Sequence, residues 1–114
     1  MEHLTKTEFY EKFSIDENTE GLTYTSKKPC VIDFYADWCG PCRMISPILE
    51  ELSEEYEDSL DIFKVNVDNE PELASQLGIR SIPLVMYCKP DEKPTGIMGA
   101  YPKNKIKEFI QKIL

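Results

Sequence analysis

An apolar segment that runs directly into a pair of cysteines constrains this chain more than any other feature. Residues 30–36 are nearly continuous in apolar residues, as in a strand buried on both faces of a sheet, and only Asp33 interrupts them. The cysteines Cys39 and Cys42 follow at once, at the start of a helix that an apolar stripe predicts over 39–56. The fold must therefore place a cysteine pair where a buried strand turns into a helix.

Short helices and strands alternate around this unit. The hydrophobic pattern predicts helices over 7–13, 71–77 and 104–114, and strands over 60–67, 84–88 and 95–100. The order is α, β, α, β, α, β, β, α, with room for an additional strand at the start, and it predicts a mixed sheet with helices on both faces. The polar stretch 14–29 is long for a structureless loop, and within it residues 21–25 alternate weakly, as a short strand would.

Length, composition and charge narrow the classes of function. A chain of 114 residues, 41% of them hydrophobic, is large enough for one core. We expect a single domain over 1–114, in which 1–29 is either an N-terminal extension or the first β-α unit. The net charge of −8 makes nucleic acid and anionic membrane surfaces poor partners. No apolar stretch is long enough for a transmembrane helix, so we expect no membrane insertion.

The spacing of the two cysteines predicts redox chemistry. A thiolate is the form that attacks a disulfide, and the free N–H groups and dipole of a helix N-terminus stabilise it. Cys39 occupies that terminus as the exposed nucleophile, and Cys42 lies about one turn deeper, where its sulfur can close a small ring. Gly40 permits the tight turn, and Pro41 fits the first helical turn, where its missing N–H costs little.

Half of a zinc site is the alternative interpretation of the same spacing. A structural zinc ion needs four ligands in a tetrahedral array. The candidates that remain are Cys30, Cys88 and His3, and none of them stands at a paired spacing. We therefore expect no metal site.

Several segments of the chain resemble the thioredoxin family. Residues 31–42, which include Trp38-Cys39-Gly40-Pro41-Cys42, resemble its active-site segment, and residues 78–83 resemble the segment that carries its cis-proline. Residues 63–68 and 98–100 match further family segments, so the resemblance covers 29–114 and, more loosely, 3–13. It implies the α/β thioredoxin fold, a central mixed sheet of four to five strands with helices on both faces. It also implies a thiol–disulfide oxidoreductase.

The resemblance implies a role for each matched residue. Cys39 would attack a substrate disulfide, Cys42 would resolve the mixed disulfide, and Asp33, beside Lys64, would move the Cys42 proton. Residues implied to bind the substrate are Trp38, Gly40, Pro41, Val67, Ile82, Pro83, Met98, Gly99 and Ala100.

Three of these residues have a plain structural alternative. Asp33 could be a structural carboxylate at a strand end, Lys64 a solvated lysine, and Pro83 a trans proline at the entry to a strand. The family resemblance favours the functional interpretation for Asp33 and Pro83, and Lys64 stays open. Tyr35 departs from the family pattern, because many members have a second tryptophan there.

The resemblance also implies a direction and partners for the reaction. Gly-Pro between the cysteines is typical of family members that reduce protein disulfides. Such a protein needs no bound cofactor beyond its Cys39–Cys42 pair, receives electrons from NADPH through a thioredoxin reductase, and is a monomer by default. Two alternatives stay open. One is an oxidant or isomerase in an oxidising compartment, and the other is a binding or assembly module in which redox chemistry is incidental.

The N-terminal residues bear on the compartment, and Cys30 and Cys88 form a second pair of cysteines. The first residues show no basic segment followed by an apolar one, so we expect a cytoplasmic protein, or a periplasmic or exported one if a signal precedes this sequence. In the thioredoxin fold, the strands that carry Cys30 and Cys88 are antiparallel neighbours. The two cysteines are then either buried apolar residues or a second disulfide.

Overall fold

Seven strands and four helices follow one another along the chain in the computed structural model, which describes residues 1–114. They are β1 (Glu2–His3), α1 (Lys6–Tyr10), β2 (Phe13–Ile15), β3 (Leu22–Tyr24), β4 (Cys30–Tyr35), α2 (Gly40–Glu55), β5 (Asp61–Asn66), α3 (Pro71–Gln76), β6 (Leu84–Cys88), β7 (Thr95–Met98) and α4 (Lys103–Gln111). None of the helices has the length and apolar character needed to cross a membrane.

A mixed sheet of five strands forms the centre of the fold. The strand order is β1-β5-β4-β6-β7, in which β1, β5 and β4 are mutually parallel, β6 runs antiparallel to β4, and β7 runs antiparallel to β6. The strand β4 lies in the middle, paired with β5 on one side and β6 on the other. This arrangement confirms the predicted mixed sheet and the additional strand at the start.

Alternation along β4 divides its side chains between two cores. Ile32 and Phe34 pack into the core that contains Phe9 of α1 and Leu73 of α3. Val31 points the other way, into the core formed with α2 and α4. Both faces of β4 are covered, as its run of apolar residues predicted, and helices lie on both sides of the sheet.

The first helix is shorter than predicted. A capping box between Thr5 and Glu8 starts it at Lys6, and it ends at Tyr10 instead of continuing to Phe13. Phe13 is the first residue of β2, although its spacing from Phe9 is helical. Its ring still packs on that of Phe9, with 4.6 Å between ring centroids, so the contact that the spacing indicated is made by a strand residue.

The polar stretch 14–29 contains a hairpin that the sequence pattern did not reveal in full. The strands β2 and β3 pair with each other in a separate two-stranded sheet. Asp16 builds the turn between them, because its carboxylate accepts hydrogen bonds from the backbone N–H groups of Asn18 and Thr19. The predicted short strand within 21–25 is confirmed as β3, and its partner was missed.

Three chain segments meet at the carboxyl end of β4. The helix α2 starts there, one residue later than predicted. Gly78 follows α3 with a positive φ of 68°, a conformation that glycine adopts readily after a helix, and the chain then leads to the cis peptide between Ile82 and Pro83. Beyond β7, the Gly99 N–H donates to the Pro83 carbonyl over 2.9 Å. These contacts bring the matched family segments to one end of the sheet.

Candidate active site

Cys39 and Cys42 form a disulfide at the N-terminus of α2. Cys39 is the N-cap residue, with extended backbone, and its Cα lies 5.2 Å from that of Cys42. The Cys42 backbone N–H donates to the Cys39 sulfur over 3.2 Å. The sulfur therefore takes the place that an Asp or Ser oxygen often occupies at a helix start, where negative charge is stabilised.

Cys39 is less exposed than predicted. Its exposed fraction is 4%, against 2% for Cys42, so the pair is nearly equally buried. Both cysteines rest on Ala36, and the partly buried side chains of Val67 and Ile82 pack against this cluster. The Cys39 sulfur lies 3.8 Å from the Ile82 carbonyl oxygen.

Gly40 and Pro41 occupy the first turn of α2. Pro41 stands in the first turn, as predicted, so its missing N–H leaves no helical bond unmade. Gly40 does not have a positive φ, and a Cβ added to it would meet nothing within 4 Å. Gly40 directly precedes Pro41, a place where the proline ring disfavours a helical residue with a Cβ, and it leaves open space beside the disulfide.

Asp33 is a buried carboxylate behind the disulfide. Only 2% of it is exposed, and its Oδ1 has no hydrogen-bond partner. It lines a cleft of about 360 Å³ together with Cys42 of α2 and Lys64 of β5. Burial raises the pKa of Asp33 to about 7, and the Lys64 ammonium opposes part of that rise. The carboxyl group can therefore gain and lose a proton near neutral pH beside the Cys42 sulfur.

Lys64 is directly opposite Asp33 in the parallel register of β4 and β5. The two side chains nevertheless form no ion pair within 4.0 Å. The Lys64 Nζ lies over the ring of Tyr35 instead, 5.5 Å from its centroid. The structure thus places Lys64 at the site, as predicted, and gives it an aromatic partner that the sequence did not indicate.

An apolar groove of about 550 Å³ lies beside the disulfide, because Val67 and Ile82 line it and also pack against the cysteines. Trp38, Val67 and Ile82, all predicted to bind substrate, line it together with the exposed Arg80, which was not predicted. Trp38 is 69% exposed, so its ring is accessible at the surface. An apolar surface with one cation at its edge suits an extended peptide segment.

The remaining predicted binding residues adjoin this groove at Pro83. The peptide bond before Pro83 is cis. Met98 of β7 lies opposite Leu84 of β6 and is 58% exposed. The Gly99 N–H donates a hydrogen bond to the Pro83 carbonyl. Ala100 follows as an exposed residue. These residues therefore reach the same end of the sheet as the cysteines.

Sequence reasoning missed two polar contacts at the site. The Trp38 indole N–H donates to Asp68 Oδ2 over 2.8 Å, which fixes the ring beside the disulfide. The Tyr35 hydroxyl lies 2.7 Å from His3 Nε2. Asp68 ends a segment that was matched to the family, so it could have been found, whereas nothing in the sequence pairs His3 with Tyr35.

The second cysteine pair lies at the opposite end of β4. Cys30 and Cys88 are directly opposite each other in the antiparallel register, as predicted. Both are fully buried, and both are free thiols. No cluster of three or more His, Cys, Asp or Glu side chains is arranged to hold a metal ion.

Comparison with known proteins identifies the family. The family model described as Thioredoxin matches residues 3–112. The chain belongs to the thioredoxin family. It is 37% identical over 108 residues to a thioredoxin from Borreliella burgdorferi, an alignment that covers 95% of this chain and 92% of that protein. It is 44% identical over 89 residues to thioredoxin 1 from Nostoc, covering 78% of this chain and 83% of that protein.

A plant relative is longer than this chain. The chain is 41% identical over 99 residues to a chloroplastic M-type thioredoxin from Pisum sativum. The match covers 87% of this chain and only 58% of that protein. Thioredoxins are thiol–disulfide oxidoreductases that need no bound cofactor, and the Cys39–Cys42 disulfide provides the redox pair for that chemistry here.

Proposed function

We propose that this thioredoxin reduces protein disulfides through Cys39 and Cys42. The Cys39 thiolate attacks one sulfur of a substrate disulfide, and the other substrate sulfur leaves as a thiolate that takes up a proton. The Cys42 thiolate then attacks the Cys39 sulfur of the mixed disulfide and releases the second substrate thiol. Two electrons pass to the substrate, and the Cys39–Cys42 disulfide is left. The observation that carries this proposal is the hydrogen bond from the Cys42 N–H to the Cys39 sulfur at a helix N-terminus.

Asp33 is the proton acceptor for the second step. Cys42 must lose its proton before it can attack, and Asp33 lines the same cleft. A base is most effective when its pKa lies near the working pH, and burial raises the pKa of Asp33 to about 7. Lys64 would act through Asp33, since its charge favours the ionised carboxylate.

The substrate lies along the apolar groove in this proposal. The Ile82 backbone would pair with an extended substrate segment, because its carbonyl is 3.8 Å from the Cys39 sulfur. Trp38, Val67 and Met98 would contact apolar side chains of the substrate. The open space above Gly40 would admit the substrate sulfur.

The reducing direction is supported by Gly40-Pro41 between the cysteines. Electrons would come from NADPH through a thioredoxin reductase, and the substrates would be proteins with accessible disulfides. We propose that residues 1–114 act as one domain and as a monomer. A cytoplasmic location suits a reductant, and the chloroplastic relatives make a plastid a second candidate.

The equilibrium potential of the Cys39–Cys42 pair tests the direction. We expect about −270 mV, the value typical of thioredoxin, when the pair is titrated against a defined thiol–disulfide buffer with Trp38 fluorescence as the readout. A value of about −180 mV or higher would overturn the reductase assignment in favour of an oxidant or isomerase.

Trapping tests the assignment of the two sulfurs. We expect Cys42→Ser to accumulate a mixed disulfide with a protein substrate and Cys39→Ser to form none. If only Cys39→Ser accumulated the mixed disulfide, Cys42 would be the attacking sulfur and Cys39 the resolving one. A binding module would be indicated if Cys39→Ser kept the full biological effect of the protein.

A further inference from the structure

Lys64 is held away from the carboxylate that it faces. The register of β4 and β5 places it opposite Asp33, a buried carboxylate whose Oδ1 has no hydrogen-bond partner. Coulomb attraction would favour an ion pair between the two groups, and the loss of water from both of them opposes it. The Lys64 ammonium lies over the Tyr35 ring, and no ion pair with Asp33 is formed within 4.0 Å. The partner of the Lys64 ammonium in the folded protein is therefore the Tyr35 ring and not the Asp33 carboxylate.

A hydrogen bond anchors the Tyr35 ring across β5. Tyr35 is the last residue of β4, and His3 belongs to β1, on the other side of β5. The Tyr35 hydroxyl lies 2.7 Å from His3 Nε2, and His3 is itself opposite Lys64 in the register of β1 and β5. The Tyr35 side chain therefore spans the strand that carries Lys64, and both of its ends are fixed.

A ring fixed in this way competes with Asp33 for the ammonium. A cation over an aromatic face gains about 0.5–1 kcal/mol at exposed sites and more where water is excluded. Lys64 is half-buried, so it benefits from the ring without losing all of its water. Pairing with Asp33 would require the ammonium to move toward the buried carboxylate and to lose more water.

Several charged or titratable groups surround Asp33, and only one cation is poised to reach it from the sheet. These groups are Lys64 on β5, Tyr87 on β6, Cys42 and Arg43 on α2, and Tyr35 and Asp37 at and just after the end of β4. Arg43 is committed elsewhere, because its guanidinium donates to the Asp37 carbonyl over 2.9 Å. The distance of the Lys64 ammonium from Asp33 therefore affects how readily the Asp33 carboxyl group ionises.

We propose that Tyr35, anchored by His3, is a positioning residue that holds the Lys64 ammonium away from the Asp33 carboxyl group. The proposal rests on the proposed function only for its consequence, which is the rate at which Asp33 exchanges a proton with Cys42. The geometry itself concerns the folded protein in the disulfide form. Without the ring, Lys64 would pair with Asp33 and stabilise its ionised form.

The test is a titration of Asp33 by carboxyl ¹³C NMR in the oxidised protein, in which Cys42 does not titrate. We expect Tyr35→Leu to lower the midpoint of the Asp33 titration by about half a pH unit, the equivalent of one cation–π contact. Tyr101→Leu is the matched control, because Tyr101 is an exposed tyrosine outside the cleft, and it should leave the midpoint unchanged.

A double-mutant cycle separates positioning of Lys64 from admission of water. In a Lys64→Met background, we expect Tyr35→Leu to leave the midpoint where it is, because there is no ammonium to release. An equal fall in that background would overturn the proposal, since the ring would then act by excluding water. An unchanged or raised midpoint in the single variant would overturn it as well.

The anchor is tested by variants that leave the ring in place. We expect His3→Ala to lower the midpoint in the same direction by a smaller amount, and His3→Gln, which can still hydrogen-bond the hydroxyl, to restore it. If Tyr35→Leu does not fold, the Asp33 titration midpoints of the two His3 variants test the proposal in its place. The titration needs no activity, so a protein that showed the coupling but reduced no disulfide would refute the proposed function alone.

Discussion

The backbone N–H of Cys42 donates a hydrogen bond to the sulfur of Cys39 over 3.2 Å, across the first turn of α2. After reduction of the disulfide, this hydrogen bond requires that the first turn of α2 keep its backbone conformation. Pro41 lies in that turn and restricts its backbone. A negative charge on the Cys39 sulfur would strengthen it, because hydrogen bonds to ionised acceptors are about twice as strong as neutral ones. The helix start is therefore prepared for a thiolate.

This relationship predicts how Cys39 reacts with an alkylating agent. In Cys42→Ser, whose backbone N–H remains, the alkylation rate of Cys39 should rise with pH about one unit earlier in the folded protein than in the same protein unfolded in urea. The helix terminus and the charged hydrogen bond together favour the thiolate by about 1–2 kcal/mol. Superimposable pH–rate curves, measured by mass spectrometry with the buried Cys30 and Cys88 changed to alanine, would contradict it.

Gly40 leaves room beside the disulfide. A Cβ at Gly40 would meet no other part of the fold within 4 Å, but Gly40 directly precedes Pro41, whose ring disfavours a helical residue with a Cβ before it. We expect Gly40→Ala to reduce a protein disulfide more slowly than the wild type and not to unfold at a higher urea concentration. Gly78→Ala is the contrasting control for stability, because its φ of 68° should make alanine destabilising. Unchanged kinetics in Gly40→Ala would refute the idea that the space is used by substrate.

Burial of Asp33 predicts an unusual dependence of stability on pH. Its pKa is about 7 in the folded protein and 3.8 ordinarily, so the folded state holds a proton that the unfolded state releases between these values. Stability therefore falls as the pH rises from about 4 to about 7, by about 4 kcal/mol if no other group compensates. Asp33→Asn should remove this loss.

Urea unfolding of the oxidised protein at several pH values checks this prediction. The asparagine variant should be more stable than the wild type near pH 8, and the difference should close toward pH 4. Asp58→Asn, which removes an exposed carboxyl group, should follow the wild-type curve. A difference that stayed constant across the range would show that Asp33 titrates alike in the folded and unfolded chains.

The bond from Trp38 to Asp68 predicts an effect on substrate binding with little effect on folding. Trp38 is 69% exposed, so its 2.8 Å hydrogen bond orients the ring without contributing to the core. Asp68→Ala should lower kcat/KM for a protein disulfide by about twofold to tenfold, the equivalent of one hydrogen bond. The unfolding midpoint should stay near that of Asp58→Asn, the control for loss of one charge. An effect as large on a small-molecule disulfide would indicate that Asp68 acts on the sulfurs instead of the groove.

The fold could be predicted where local patterns agree with the final structure. The strand β4 was predicted from its run of apolar residues, because a strand covered on both faces is apolar throughout. The helix α2 was predicted from its apolar stripe, because one face of such a helix packs on the core. Phe13 was misassigned because its contact with Phe9 satisfies helical spacing, although its backbone pairs with Tyr24 in β2 and β3. A pairing between residues 11 positions apart leaves no signal in either segment alone.

The active site could likewise be predicted from local segments but not where it depends on contacts between distant residues. The cysteines, Asp33 and Pro83 lie in short segments whose residues match the family, so their places could be predicted one by one. The aromatic partner of Lys64 could not, since it depends on a hydrogen bond between residues 32 positions apart. The partner of Lys64 depends on how β1, β5 and β4 lie next to one another, and the sequence pattern predicts the order of these strands along the chain but not their arrangement in the sheet.

Cys30 and Cys88 lie directly opposite each other on β4 and β6. Both sulfurs are fully buried at the end of the sheet away from the active site, and both are free. The neighbouring Cys30 sulfur and burial raise the pKa of the Cys88 thiol, so it stays protonated and a poor nucleophile. We expect the oxidised native protein to take up no iodoacetamide at neutral pH, and to take up two equivalents once it is unfolded without reductant. Mass spectrometry of the alkylated protein gives the count. Uptake of none after unfolding would reveal a second disulfide between these strands, and uptake by the native protein would show that the sheet opens at that end.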